Sequence, residues 1–244
     1  MALDWLTVRP IAHRGLHDES SAIENTATAF SAATAAGYGI ECDLQVSADG
    51  EAMVHHDDAL GRLTEGSARL TELSAAEIKK ARFKQSRDRI LTLAELCELV
   101  TGRATLVLEL KSHFDGDRRL VERVAAVLAT YTGPVAAMSF DPAIVEMLRQ
   151  TAPRVTRGIV AQRHYDDWPE LPPAERRGLE LLLHTPRTRP QFIAYAIKDL
   201  PAFPPLFLRT AFGLPLLTWT VRTQAERQRA AHWADQLIFE GWRP

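Results

Sequence analysis

The chain of 244 residues has only two cysteines, Cys42 and Cys97. They are too few for a disulfide framework and lack the paired spacing of a zinc site, so both are read as reduced thiols. Nowhere do about eighteen apolar residues follow one another, and the start, "MALDWLTVRP", puts no long apolar segment behind a basic one. No bilayer-spanning segment is therefore expected, and a soluble, cytoplasmic protein is. An excess of one charge is missing too. With 29 Lys and Arg against 31 Asp and Glu, the formal net charge is −2. Nothing there grips a phosphate backbone, so no nucleic acid partner is expected and any anion site must be local. Repeats and low-complexity segments are absent, and the proline-rich patches at 172–173 and 201–205 are too short for linkers. A single domain over 1–244 follows.

What remains is a chain with 46% hydrophobic residues, enough for a sizeable core. Eight short β-type runs alternate with helical stretches, at 9–13, 39–44, 105–111, 135–140, 155–161, 191–197, 214–221 and 236–240. One intervening helix reads "NTATAFSAATAAG" and stops at Gly37. Another, "DGDRRLVERVAAVLAT", is apolar at Leu120, Val124, Val127 and Leu128 with charges on the other face. Eight strand–helix units in this length predict an α/β fold, a (β/α)8 TIM barrel, with a doubly wound sheet as the alternative. The alternation breaks after the second strand: an extra strand at 51–56 follows an "ADG" turn, and residues 57–90 read as a short rim insertion.

Chemistry shows first in "GIECDLQV". Strand alternation puts Glu41 and Asp43 on one face and Ile40, Cys42 and Leu44 on the other. The run "TLVLELK" repeats the device with Glu109 and Lys111. Three acids and a lysine then converge near the carboxyl ends of neighbouring strands, where barrel enzymes place their sites. Such carboxylates must protonate, pair with Arg14 or Lys111, or bind a metal. Oxygen donors without clustered cysteine favour Mg²⁺ or Ca²⁺ over zinc. His13 and His56 each close a strand. Two imidazoles beside cations and carboxylates suit phosphoryl chemistry, with protons moved at neutral pH.

The ordered elements "IAHRG", "IENTATAF", "GIECDLQVSADGEAMVHHD", "LTLAEL", "LELK", "SF" and "LTWTV" run nearly end to end. In them the chain resembles the glycerophosphodiester phosphodiesterase family. The resemblance implies the barrel with its insertion, and His13 and His56 as a general acid/base pair. It also implies Glu41, Asp43 and Glu109 as ligands of a divalent cation, Arg14 and Lys111 as phosphate contacts, and Glu24 as an acid near the site. The implied reaction is hydrolysis of a small glycerophosphodiester to glycerol 3-phosphate and an alcohol, with the glycerol 2-hydroxyl attacking first. Which histidine is acid and which base stays open, as do the headgroup, the metal and the oligomeric state.

Two departures stand out. The family pattern often ends its last strand on Thr-Asp, where this chain has Phe239 and Glu240 in "LIFEGWRP", so the contribution of that strand is open. After "HD" the run "HDDALGRLTEGSARL" keeps Arg62 but loses part of the usual motif. Trp219 and Phe140 either wall the pocket, Trp219 against the glycerol, or fill the core. Asp57 either orients an imidazole or starts a turn, the turn being the plainer reading. His55 should face away from His56. His17, His113, His164, His184 and His232 are expected to be solvated. A lysophospholipase-D-like enzyme, a metal-dependent sugar isomerase and a non-catalytic binding protein are the competing readings.

Overall fold

The computed structural model describes residues 3–18, 22–166 and 168–244. Its first half runs α1 (Asp4–Thr7), β1 (Ile11–Ala12), α2 (Ala27–Ala35), β2 (Gly39–Val46), β3 (Ala52–Val54), α3 (Ala75–Ile78), α4 (Leu93–Val100), β4 (Leu106–Leu110) and α5 (Arg119–Leu128). The second half continues with β5 (Val135–Ser139), α6 (Pro142–Thr151), β6 (Thr156–Ala161), α7 (Pro173–Glu180), α8 (Thr185–Thr188), β7 (Phe192–Ala196), α9 (Phe203–Phe212), β8 (Leu216–Val221), α10 (Gln224–Trp233) and β9 (Gln236–Phe239). Apart from β3, the strands are all parallel, and β1 pairs with both β2 and β9, so the sheet closes on itself. This is the expected (β/α)8 TIM barrel. Among the described residues no helix is long and apolar enough to cross a membrane.

Alternation along the strands sorts the core into two layers. Ile40, Cys42, Leu44, Leu106, Leu108 and Leu110 point outward and pack with Leu96, Val100, Leu120 and Val124 of the surrounding helices. Ile11, Val107, Ala136, Val160, Phe192, Leu217 and Ile238 point inward and join Leu6 of α1, which closes the barrel floor. The interior is filled rather than hollow. A Cβ on Gly158 would come within 2.3 Å of the Phe192 ring, so that position must stay bare for the ring to cross the barrel. Both cysteines are free and buried, as expected.

The predicted helices form with the caps their sequences offer. Thr26 Oγ1 accepts from the Ala29 N–H at 3.3 Å at the start of α2, and Gly37 takes φ +76° just beyond its end. Helix α5 buries Leu120, Val121, Val124 and Leu128 and leaves Val127 at the edge of that face. The first strand is shorter than its expected span of 9–13. Pro10 has no N–H, and Arg14 turns the chain at φ +55°. Pairing nonetheless extends to both flanks, since the Gly39 N–H reaches Pro10 O and the His13 N–H reaches Phe239 O, each at 2.9 Å.

The extra strand β3 runs antiparallel to β2, with Leu44 opposite Val54. The rim insertion follows it and builds a small core of its own from Met53, Leu70, Ile78, Phe83 and Ile90.

Candidate active site

The inward faces of β2 and β4 carry polar groups only at the carboxyl end of the barrel. Register sets Asp43 level with Glu109, and one oxygen from each of Glu41, Asp43 and Glu109 lies within 4.8 Å of the others. All three carboxylates are buried. Asp43 is the best served. Its Oδ1 lies 2.8 Å from Lys111 Nζ, and its Oδ2 accepts from Asn25 Nδ2 at 2.9 Å and sits 3.2 Å from Arg14 Nε. Burial alone would push this carboxyl up, but Lys111 and Arg14 hold it far below the usual carboxylate range. Lys111 also bonds Glu109 Oε1 at 2.5 Å, and the two acids keep its half-buried ammonium charged.

Glu41 is treated differently. Its Oε2 accepts from the Arg14 N–H at 3.0 Å, whereas its Oε1 is buried without a hydrogen-bond partner. Burial, reinforced by Asp43 and Glu109, pushes its carboxyl well above the usual range. A partnerless buried oxygen among three converging carboxylates is a costly arrangement for the protein alone. It fits a divalent cation, which Glu41, Asp43 and Glu109 are placed to hold. The wider charge balance agrees. Glu24, Glu41, Asp43, Asp57, Glu109 and Glu240 are six carboxylates, against the four cations Arg14, Arg62, Lys111 and Arg222. With all ionised, two negative charges are left over, which a divalent cation would balance.

Each imidazole is set by a carboxylate. His13 Nδ1 lies 2.5 Å from Glu240 Oε2, and Glu240 also takes Arg222 Nη2 at 3.0 Å. Burial would raise Glu240, yet His13 and Arg222 hold it at about 2, so it only accepts. Nδ1 of His13 therefore carries the proton, and Nε2, 3.9 Å from Glu41 Oε2, keeps its lone pair. Burial lowers the His13 pKa against the pull of Glu240, favouring the neutral ring.

His56 Nδ1 lies 2.9 Å from Asp57 Oδ1, and Asp57 Oδ2 accepts from Arg62 Nε at 2.6 Å. Arg62 continues to Glu24 Oε1 at 2.5 Å, which Arg14 Nη1 reaches at 2.8 Å. One continuous ionic chain thus joins His56 to Asp43. Asp57 orients an imidazole here, which corrects the plainer reading of it as a turn residue alone.

His13, Arg14, Glu41, Asp43, His56, Glu109 and Lys111 line a cavity of ≈ 230 Å³ whose apolar side includes Met138, Phe140 and Trp219. Trp219, read as either pocket wall or core filler, sits at the boundary of the two. It packs with the barrel interior and donates from Nε1 to Ala194 O at 3.1 Å, while its ring faces the cavity beside Phe140 at 5.5 Å. Backbone strain collects at the mouth, where Arg14 and Asn25 hold φ of +55° and +56° and Asn25 N–H donates to Arg14 O at 2.9 Å.

The structure brings all nine sequence-predicted residues, His13, Arg14, Glu24, Glu41, Asp43, His56, Glu109, Lys111 and Trp219, into the cavity or its ionic chain. His55 is buried and outside the cavity wall, as its alternation requires. Two other histidines differ from expectation. His17 is half-buried beside His13 and Glu240, and His184, half-buried at the start of α8, is pushed down to about 4 by burial. Two participants, Asn25 and Arg222, escape the sequence reading, and Glu240, whose contribution it leaves open, joins the site through His13. For Glu240 the signal was present, since it shares strand parity with inward-facing Ile238.

A model of the glycerophosphoryl diester phosphodiesterase family matches residues 13–241. A glycerophosphodiester phosphodiesterase of Caldanaerobacter subterraneus subsp. tengcongensis is 33% identical over 162 residues, which are 62% of this chain and 66% of that protein. Glycerophosphodiester phosphodiesterase 1 of Mus musculus is 30% identical over 159 residues, 61% of this chain and 47% of its own length. The chain thus matches less than two thirds of the length of either relative. Among solved structures, an Oleispira antarctica phosphodiesterase in complex with the product sn-glycerol-3-phosphate superposes with a TM-score of 0.79, at 20% identity over 96% of this chain and 94% of that one. At that identity the likeness concerns the fold.

Proposed function

Because the chain belongs to the glycerophosphoryl diester phosphodiesterase family, we propose that it hydrolyses glycerophosphodiesters to glycerol 3-phosphate and an alcohol at the mouth of its barrel. The observation that carries this reading is a pair of imidazoles, each with Nδ1 on an ionised carboxylate, lining one cavity with the Glu41, Asp43 and Glu109 carboxylates. The product bound to the Oleispira antarctica phosphodiesterase supports the substrate class.

A divalent cation on Glu41, Asp43 and Glu109 would supply neutralisation of phosphate charge and acidification of a nearby hydroxyl. The chain's own residues do the rest. Neutral His13 takes the proton of the glycerol 2-hydroxyl on Nε2 while that oxygen bonds to phosphorus. The bond from phosphorus to the alcohol oxygen breaks, and His56 gives that oxygen its proton. A cyclic glycerol phosphate remains. Water then opens it with the roles reversed: His56 takes the water proton, and His13 returns its own to the 2-oxygen. Glu240 and Asp57 each hold the Nδ1 proton of one ring, so proton exchange runs through Nε2, and His56 enters the cycle as the imidazolium while His13 is neutral. Arg14 and Lys111 supply positive charge to the phosphate oxygens from positions already fixed by Glu24, Asp43 and Glu109.

The test compares glycerophosphocholine with its analogue lacking the 2-hydroxyl. Cleavage of the first alone is expected. Equal cleavage of both would remove the 2-hydroxyl from the mechanism, and cleavage of neither would remove the reading.

A further inference from the structure

A second cavity, of ≈ 270 Å³, adjoins the reaction centre and shares His56, Glu109, Lys111 and Phe140 with it. Its own walls are aromatic. Trp168 stands 5.9 Å from Phe114 at 70° and 5.2 Å from Phe140 at 43°, and buried Tyr165 backs it at 5.7 Å. All three lining rings, Phe114, Phe140 and Trp168, are partly exposed to the cavity they frame. Phe114 holds φ +56°, uncommon for a bulky side chain, and is pinned there by its N–H to Ser112 Oγ at 3.0 Å. Asp141 adds a buried carboxylate to the lining.

We propose that this cavity is a subsite for a quaternary ammonium headgroup, which makes choline-type glycerophosphodiesters the preferred substrates; it rests on the function proposed above. The polar atoms of the wall select the class. Ser112 Oγ donates to Asp141 Oδ2 at 2.6 Å, and Asp141 Oδ1 accepts from the Ala143 N–H at 2.7 Å. Ser139 Oγ donates to Leu110 O at 2.7 Å. The Ser112 and Ser139 hydroxyl protons are taken and each Asp141 oxygen already accepts one hydrogen bond, so a polyol finds no free hydroxyl donor there and a primary ammonium finds fewer partners than in water. A quaternary ammonium has no N–H to satisfy. It gains from the ring faces and from the charge of Asp141. Lys111 does not oppose it strongly, because its ammonium is engaged by Asp43 and Glu109. Position fits as well: His56 belongs to both cavities, so the alcohol it protonates departs into the aromatic one.

The decisive comparison uses glycerophosphocholine and its 3,3-dimethylbutyl ester analogue, in which carbon replaces the charged nitrogen at the same shape. The wild-type protein should favour the choline ester by roughly tenfold in kcat/KM. Trp168→Leu and Phe114→Leu should shrink that preference towards equality, lowering kcat/KM for the choline ester more than for the neutral ester. Equal kcat/KM for the two esters in the wild type overturns the subsite and leaves the phosphodiesterase reading standing. Calorimetric titration with free choline judges the subsite without any turnover. Saturable binding that weakens at least about tenfold in Trp168→Leu is expected, and absence of binding overturns the proposal even if the enzyme is active.

Discussion

Replacing Glu41 by glutamine should make the metal-free protein more stable at neutral pH. The Glu41 Oε2 bond to the Arg14 N–H, 3.0 Å, can be kept by an amide oxygen. The partnerless Oε1 becomes an NH₂ donor facing the Asp43 and Glu109 carboxylates that now repel it. Burial and these neighbours raise the folded-state pKa of Glu41, so its ionised form is a cost to the fold. That cost is absent below the unfolded pKa of about 4.3, grows as pH rises towards the folded value, and is constant above it. Leaving one buried polar atom unsatisfied costs about 1–3 kcal/mol. In a chain of this size 1 kcal/mol moves Tm by about 2–4 °C. Calorimetry in chelator should therefore show Glu41→Gln melting several degrees above wild type near neutral pH, and close to it near pH 4. Divalent cation reverses the order. At a hundredfold excess over Kd the wild type gains about 2.7 kcal/mol, and the variant, lacking one ligand charge, gains much less. A variant that melts lower in chelator at every pH, or that gains as much from Mg²⁺ and Ca²⁺ as wild type, would refute the reasoning.

Alanine at His13 or His56 should lower turnover by at least ~100-fold while far-UV circular dichroism and melting stay native-like, since positioned acid/base groups contribute about that much. Glu240→Gln weakens the charge-assisted bond to His13 and should reduce kcat by about 10- to 100-fold with little change in KM; unchanged kcat would leave Glu240 as a surface partner of Arg222 alone. Lys111→Met should depress kcat more than it raises KM, because charge on the phosphate oxygens grows towards the transition state, as steady-state kinetics on glycerophosphocholine would show. Gly158→Val places a side chain where the Phe192 ring already lies and should destabilise the fold by about 1–3 kcal/mol or more in denaturant titration.

Period-two alternation was enough to place Glu41, Asp43, Glu109 and Lys111 together, because strand parity and parallel register are local properties that extend along a closed sheet. The eight strands were legible for the same reason. The partners that orient those groups were harder to see. Glu240 meets His13 from 227 positions away, and Arg62 meets Glu24 from 38. Such contacts depend on barrel closure and on where a loop returns, which no local pattern encodes. Asp57 shows the limit at short range, since one residue can shape a bend and bond the preceding imidazole together. The left-handed turn at Arg14 shortened the first strand, and nothing in an Ile-Ala-His-Arg run signals positive φ. His184 caps a helix of four residues, too short to announce which way its cap residue faces.

The most direct measurement is ³¹P NMR of the purified protein turning over glycerophosphocholine with Mg²⁺ or Ca²⁺. Glycerol 3-phosphate should accumulate, accumulation should stop on addition of chelator, and it should resume when the cation is restored in excess. Phosphocholine as the product, undiminished turnover in chelator, or no product from any glycerophosphodiester with either cation would contradict a metal-assisted phosphodiesterase at this barrel mouth.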